Sequence, residues 1–299
     1  MKSFRIIFTL AAISILAVTA AQGQATRTWV SHNGNDANPC TVTSPCLTFQ
    51  GAYAKTPVGG EIDALDDGEF GPINITNSIT IDGGNHLAAI SPGTGEGIFV
   101  SASTGNSVTL RNLSIRNNAN AYYGMTIYGQ GYTLHIEHCV VSGFGESGVM
   151  VMAGGTAINF YLDDTIIRDN HVYGVWLEEN VTASISNSHI LNSIVGVAEM
   201  SGGANLAMTN SEVSGSATGF AIDNSTTPSS TASIANSVVA NNTQGVLASG
   251  AGAAITLSNV SLFNNTTAGI VILNGGVVNS FRNNANTGMG TPSKLFPLQ

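Results

Sequence analysis

Apolar and polar residues alternate through the middle of this chain in a unit written seven times between Asn112 and Gly269. The units are anchored at Asn112, His138, Asp164, Asn187, Asn210, Asn236 and Asn259, spaced 26, 26, 23, 23, 26 and 23 residues apart. Two residues before the anchors every side chain is apolar (Leu110, Ile136, Leu162, Ile185, Met208, Ile234, Leu257), and four before them the column from Val108 to Ile255 is apolar again. Mostly polar residues separate these columns, so the period is two and each segment is a strand with one buried face. Another unbroken apolar column stands three residues after the anchors, from Ile115 to Leu262. A third strand follows Gly124, Gly148, Gly174, Gly196, Gly219, Gly245 and Gly269. Three strands per unit at a nearly fixed interval predict a solenoid.

Five residues after the anchors lie Asn117, Gly143, Asp169, Asn192, Gly215, Asn241 and Asn264, types that tolerate a left-handed backbone and are read here as corners. The anchors are read as a buried polar ladder whose amides stack and hydrogen-bond along the axis. His138 and Asp164 are then substituted structural rungs rather than catalytic groups. A leucine-rich repeat has a similar length, but its spacing fits once only, at Leu110, Leu113, Ile115 and Asn118. The return segments are rich in Gly, Ser, Asn and β-branched residues, which favours strands throughout. Since crossovers between parallel strands are right-handed, the predicted fold is all-β. It is a right-handed parallel β-helix with three strands per rung and about ten rungs, roughly 48 Å long at the usual interstrand spacing.

In this rung pattern the chain resembles the pectin-lyase-like superfamily, which includes polysaccharide lyases, glycoside hydrolases and secreted members without an assigned activity. The resemblance covers most of the chain and lies in the rungs, not in a catalytic motif. Trp29, Val30 and Ser31, then Gly34, Asn35 and Asp36, then Pro45, Thr48, Phe49 and Ala52 also resemble the entry sequence of secreted β-helix repeat proteins. That resemblance implies a strand, a turn and a short capping helix, here from about Leu47 to Lys55, over the open end of the coil.

Lys2 and Arg5 precede an apolar run from Ile6 to Ala21 that ends in small residues. Residues 1–25 read as a signal peptide, which places the mature protein outside the cytoplasm, secreted or periplasmic; a retained anchor is the alternative. The remainder reads as one domain: a cap over 26–60, irregular first rungs over 61–106, seven regular rungs over 107–276, and a last rung and tail over 277–299. In an exported chain Cys40 and Cys46 are expected to form a disulfide, and Cys139, in a column of small residues, to be a buried free thiol. The formal charge is −9, and it grows more negative once Lys2 and Arg5 are removed. Nucleic acid is thereby disfavoured, and a polyanionic glycan would need bridging cations. A bacterial source is expected, because Asn112-Leu113-Ser114 and Asn259-Val260-Ser261 would be glycosylated in a eukaryotic secretory route at anchors read as buried.

The superfamily resemblance implies a substrate groove over one sheet, and the glycine-led strands are the natural candidates. Their outward columns run Thr126, Met150, Trp176, Ala198, Ala221, Leu247, Val271 and Tyr128, Met152, Glu178, Met200, Asp223, Ser249, Leu273. So apolar a face implies a cover, an oligomer contact or a partner, and the C-terminal segment with Leu295, Phe296 and Leu298 is one candidate cover. Tyr122, Tyr123, Tyr128, Phe144, Tyr173 and Trp176 crowd the same strands, and rings of this kind suit sugar faces. Tyr123, Tyr128, Phe144, Tyr173 and Trp176 are therefore the candidate binding residues.

Catalytic candidates are weaker. Superfamily lyases pair calcium-binding carboxylates with an arginine or lysine base, yet none of the outward positions is basic; Arg168 and His171 lie on a neighbouring loop. Inverting hydrolases need two carboxylates about 6.5 to 9.5 Å apart. Glu178 and Asp223 share one column two rungs apart, or roughly 9.6 Å between backbones. The cluster Glu61, Asp63, Asp66, Asp67 and Glu69 is read as turn chemistry, so no metal site is assigned and calcium enters only if the protein is a lyase. Three functions remain: a secreted binder of a polysaccharide or cell-surface component, a polysaccharide lyase or glycoside hydrolase, and a structural spacer or adhesin.

Overall fold

A computed structural model describes residues 26–225 and 229–297; the expected signal peptide and Leu298 lie outside them. The described chain is a parallel β-solenoid with three sheets, of twelve, nine and ten strands. All of their pairings are parallel, each strand bonding to the equivalent one in the rung before and after, as in Leu134↔Phe160 and Ile136↔Leu162. The glycine-led strands form the nine-stranded sheet. The strands that precede the anchors form the twelve-stranded sheet, and the short strands that follow them form the ten-stranded one.

Period-two patterning puts one apolar column of every strand inside. Leu134, Phe160, Ile136, Leu162, Ile185 and Ile234 are fully buried, and so are Val141, Ile167 and Ile190 in the ten-stranded sheet. One continuous cluster of buried side chains runs from Val30 to Val278. The glycines that lead the nine-stranded sheet sit where a side chain would collide: a Cβ on Gly174 would stand 2.5 Å from the Gly196 carbonyl oxygen.

The corners overturn one expectation. All seven anchors have left-handed φ, between 44° at Asp164 and 58° at Asn112, and from His138 onward they are exposed. They turn the backbone and do not form a buried ladder. The glycosylation argument for a bacterial source falls with that burial. The polar ladder lies one residue further on. Thr165, Ser188, Ser211 and Ser237 are buried, and each hydroxyl accepts the N–H of its neighbour in the preceding rung at 3.2 Å. The same hydroxyls donate to carbonyls two residues back at 2.7 to 2.9 Å. The corner N–H that no sheet can pair is thereby satisfied. At the second corner the expected left-handed backbone is present at six of the seven positions, Asn117 excepted. The asparagine ladder again sits one residue later: Asn242 accepts from Ser216 N–H at 2.9 Å, and Asn265 accepts from Asn242 N–H at 3.2 Å.

Both ends are closed. The cap helix is shorter than expected, Phe49–Tyr53, with the Thr48 side chain accepting from Gly51 N–H. Phe49 is fully buried against Phe70, ring centroids 5.1 Å apart. The Asp36 carboxylate holds the turn before the helix, accepting from the Leu47 and Thr48 N–H groups at 2.9 Å. Cys40 and Cys46 are disulfide-bonded beside it, and Cys139 is free and buried. At the other end Lys294–Phe296 pairs with Val277–Phe281 as the last strand of the twelve-stranded sheet. The Met289 carbonyl accepts from Gly269 and Ile270 N–H groups. The described tail therefore closes the end of the coil and does not fold over the nine-stranded face.

Candidate functional site

Alternation in the nine-stranded sheet sends Met125, Val149, Val175, Val197, Phe220 and Val246 inward, all fully buried. The residues after them form an outward column, paired rung by rung as Phe99, Thr126, Met150, Trp176, Ala198 and Ala221. Tyr128 opens a second column beside Met152 and is 48% exposed. Tyr123 and Tyr173 flank Ser147 in a third, and both are half-buried. Trp176 is also half-buried, its ring 4.8 Å from that of Tyr173 and tilted by 33°. The Tyr173 hydroxyl donates to Met200 Sδ at 3.7 Å. Tyr123, Tyr128, Tyr173 and Trp176 thus stand on one outward face.

Phe144 does not join them. It is 1% exposed and belongs to the core, because it occupies the column that holds Asn170 and Asn242 in later rungs. A Cβ on Gly124 would touch its ring at 3.0 Å. Arg168 is also elsewhere: it ends a strand of the ten-stranded sheet and pairs with Asp169 at 2.5 Å. Glu178 and Asp223 do share a column, on either side of Met200. Burial, and then Glu179, hold the Glu178 carboxyl above the usual range. Asp223 is exposed.

The acidic segment near the N-terminus divides as its register dictates. Asp66 accepts from the Ser31 hydroxyl and His32 N–H, Asp67 from Leu87 N–H, and Glu69 from Ser91. Glu61 and Asp63 instead meet Asp82 on the twelve-stranded face, with carboxylate oxygens within 4.8 Å of one another. Arg27 and Arg111 lie across that trio at 2.6 to 3.0 Å. Burial first, and then Glu61, push Asp63 up to about 6.

Three further carboxylates belong to the neighbourhood of the aromatic face. Glu96 pairs in register with Tyr123 and accepts from the Thr126 hydroxyl at 3.3 Å, and Glu146 precedes Ser147. Neither lies at a position the regular repeat singles out, so only their nearness to a glycine could have suggested them. Glu199 takes the inward place between Leu177 and Ile222 and is fully buried. Neither of its oxygens has a hydrogen-bond partner among the described residues. Burial pushes its pKa up to about 8.

Residues 123–286 match the family described as right handed beta helix region, and the chain belongs to that family. Its fold is similar to that of pectate lyase Pel9A, with a TM-score of 0.64 and 13% identity over 90% of this chain and 79% of that one. XylC in complex with xylose gives 0.60 and 10%, over 85% and 68%. The enzymatically active domain of tailspike protein 2 from bacteriophage CBA120 gives 0.54 and 16%, over 84% and 43%. At such identities the likeness is one of fold. No curated protein matches the sequence.

Proposed function

We propose that the nine-stranded face binds a glycan, on or outside the cell, without turning it over. The observation that carries this reading is the half-exposed Tyr173 and Trp176 ring pair, set beside Tyr123 and Tyr128 on a sheet face that the described tail leaves open. Such rings offer apolar area on which a sugar ring can stack. The fold supports a carbohydrate partner by analogy, since its structural neighbours include a pectate lyase and a protein complexed with xylose. Export fits the Cys40–Cys46 disulfide.

The test is incubation of the protein with neutral and acidic polysaccharides, with and without calcium, scoring retention and new reducing or unsaturated ends together. Retention without products is expected. A hydrolase is the second reading, because the raised pKa of Glu178 suits a general acid and Asp223 stands two rungs away in its column. Products that disappear on Glu178→Gln or Asp223→Asn would replace binding with that reading. Absence of both retention and products would favour a spacer.

A further inference from the structure

The charge around the aromatic face is one-sided. Glu96, Glu146 and Glu178 all act on Tyr123, whose phenol is pushed up by burial and then by these carboxylates; Glu146 and Glu178 act likewise on Tyr173. Among the described residues no arginine or lysine lies in a strand of this sheet. Arg27, Arg111 and Lys294 belong to the twelve-stranded sheet, Arg116 and Arg168 to the ten-stranded one, and Lys55 and Arg282 lie outside the strands. The Glu61, Asp63 and Asp82 trio, by contrast, is neutralised by two guanidinium groups. Among the described residues no ion pair reaches Glu96, Glu146 or Glu178, so the negative charge they bring to Tyr123 is left uncompensated.

A second observation lies at the same place. Ser147 lies in the column between Tyr123 and Tyr173, is fully buried, and its hydroxyl has no partner among the described residues. The Trp176 Nε1 is likewise buried and unpaired. Buried donors are rarely left unmet in a finished surface.

We infer that the glycan taken by this face carries free amino groups, with ammonium groups among Glu96, Glu146 and Glu178 and sugar rings against Tyr173 and Trp176. The inference rests on the binding role proposed above and names its ligand class. Carboxylates supply the countercharge, the rings add cation–π attraction, and a uronate polymer is repelled.

Hexamers of glucosamine, N-acetylglucosamine and galacturonate, titrated into the protein at about pH 6, where amines are charged, test this directly. The glucosamine hexamer should bind at least roughly tenfold more tightly than its acetylated form, and the advantage should shrink as salt is raised. Combined Glu146→Gln and Glu178→Gln should abolish that advantage while thermal unfolding is unchanged. Equal affinity for the free and acetylated hexamers, or a preference for galacturonate, overturns the charge assignment and leaves glycan binding standing. Failure of all three hexamers overturns the assignment as well, and retention on the polysaccharide panel then decides separately whether the face binds any glycan.

Discussion

Two faces of the same coil are built on identical interior logic and yet present opposite chemistry. Behind both the twelve-stranded and the nine-stranded sheets stand stacked Ile, Leu, Val and Phe. In front of the first lie Thr133, Asn159, Thr182, Asn205 and Thr231 in one register, with a column beside them that runs from the His135 and Tyr161 stack to Ser184, Ala207, Ser233 and Thr256. In front of the second lie Met150, Trp176, Leu247, Tyr128, Met152 and Glu178. From Ser184 onward short side chains suffice for this solvated parallel sheet, so the large amphipathic residues of the second face are not demanded by the coil. The difference separates what the fold requires, inward columns and corner ladders, from what is free to serve a partner.

Four predictions bear on that separation. The largest effect belongs inside: Phe220→Ala, behind the nine-stranded face, should cost about 3–5 kcal/mol in a denaturant titration. A loss below about 1 kcal/mol would mean that the interior stack does not carry the coil.

Glu199 gives a pH dependence. Its carboxyl stays protonated in the folded chain up to about 8 and ionises in the unfolded chain near the ordinary 4.5. The unfolded state therefore holds fewer protons across that interval, and stability falls as pH rises through it, then levels above about 8. Asp63, raised to about 6, adds to the fall only in the lower part. Between about pH 6 and 8 the slope should be close to 1.4 kcal/mol per pH unit, and Glu199→Gln should flatten it. An unaltered slope in the variant would refute this burial.

At the corners, Asn242→Leu should cost about 1–3 kcal/mol by stranding the buried Ser216 N–H and the Val213 carbonyl. Asn236→Leu, at an exposed left-handed anchor, should cost less than Asn242→Leu in parallel melts. The reverse order would restore the anchors as the buried ladder. The smallest effect is a control on the twelve-stranded face, where His135 and Tyr161 stack at 4.7 Å. Tyr161→Ala should shift stability by no more than about 0.5 kcal/mol and leave polysaccharide retention unaltered; lost retention would place the glycan on the wrong face.

Much of this was legible in the sequence, and its failures have a physical pattern. Period-two columns and recurring glycines identified three sheets because each reports a single constraint, burial or close approach. Asparagine at the anchors reports two: it tolerates a left-handed backbone and it also builds buried ladders. Residue type alone could not choose between them, and the ladder was hidden in the small Thr165 to Ser237 column one place later. Phe144 was misplaced for a related reason, since an aromatic ring marks a surface patch or a core corner equally well, and only its register beside Asn170 and Asn242 tells which. The tail offered no repeat to read. The Cys40–Cys46 bridge was readable because the two cysteines lie six residues apart in the cap.

The central claim is that Trp176 serves a partner and not the coil. Trp176→Ala, measured for polysaccharide retention and for thermal unfolding on the same preparation, tests it most directly. Retention should fall at least roughly tenfold while stability changes by less than about 1 kcal/mol. Unaltered retention with a stability loss of about 3 kcal/mol or more would show that the ring belongs to the fold and contradict the account.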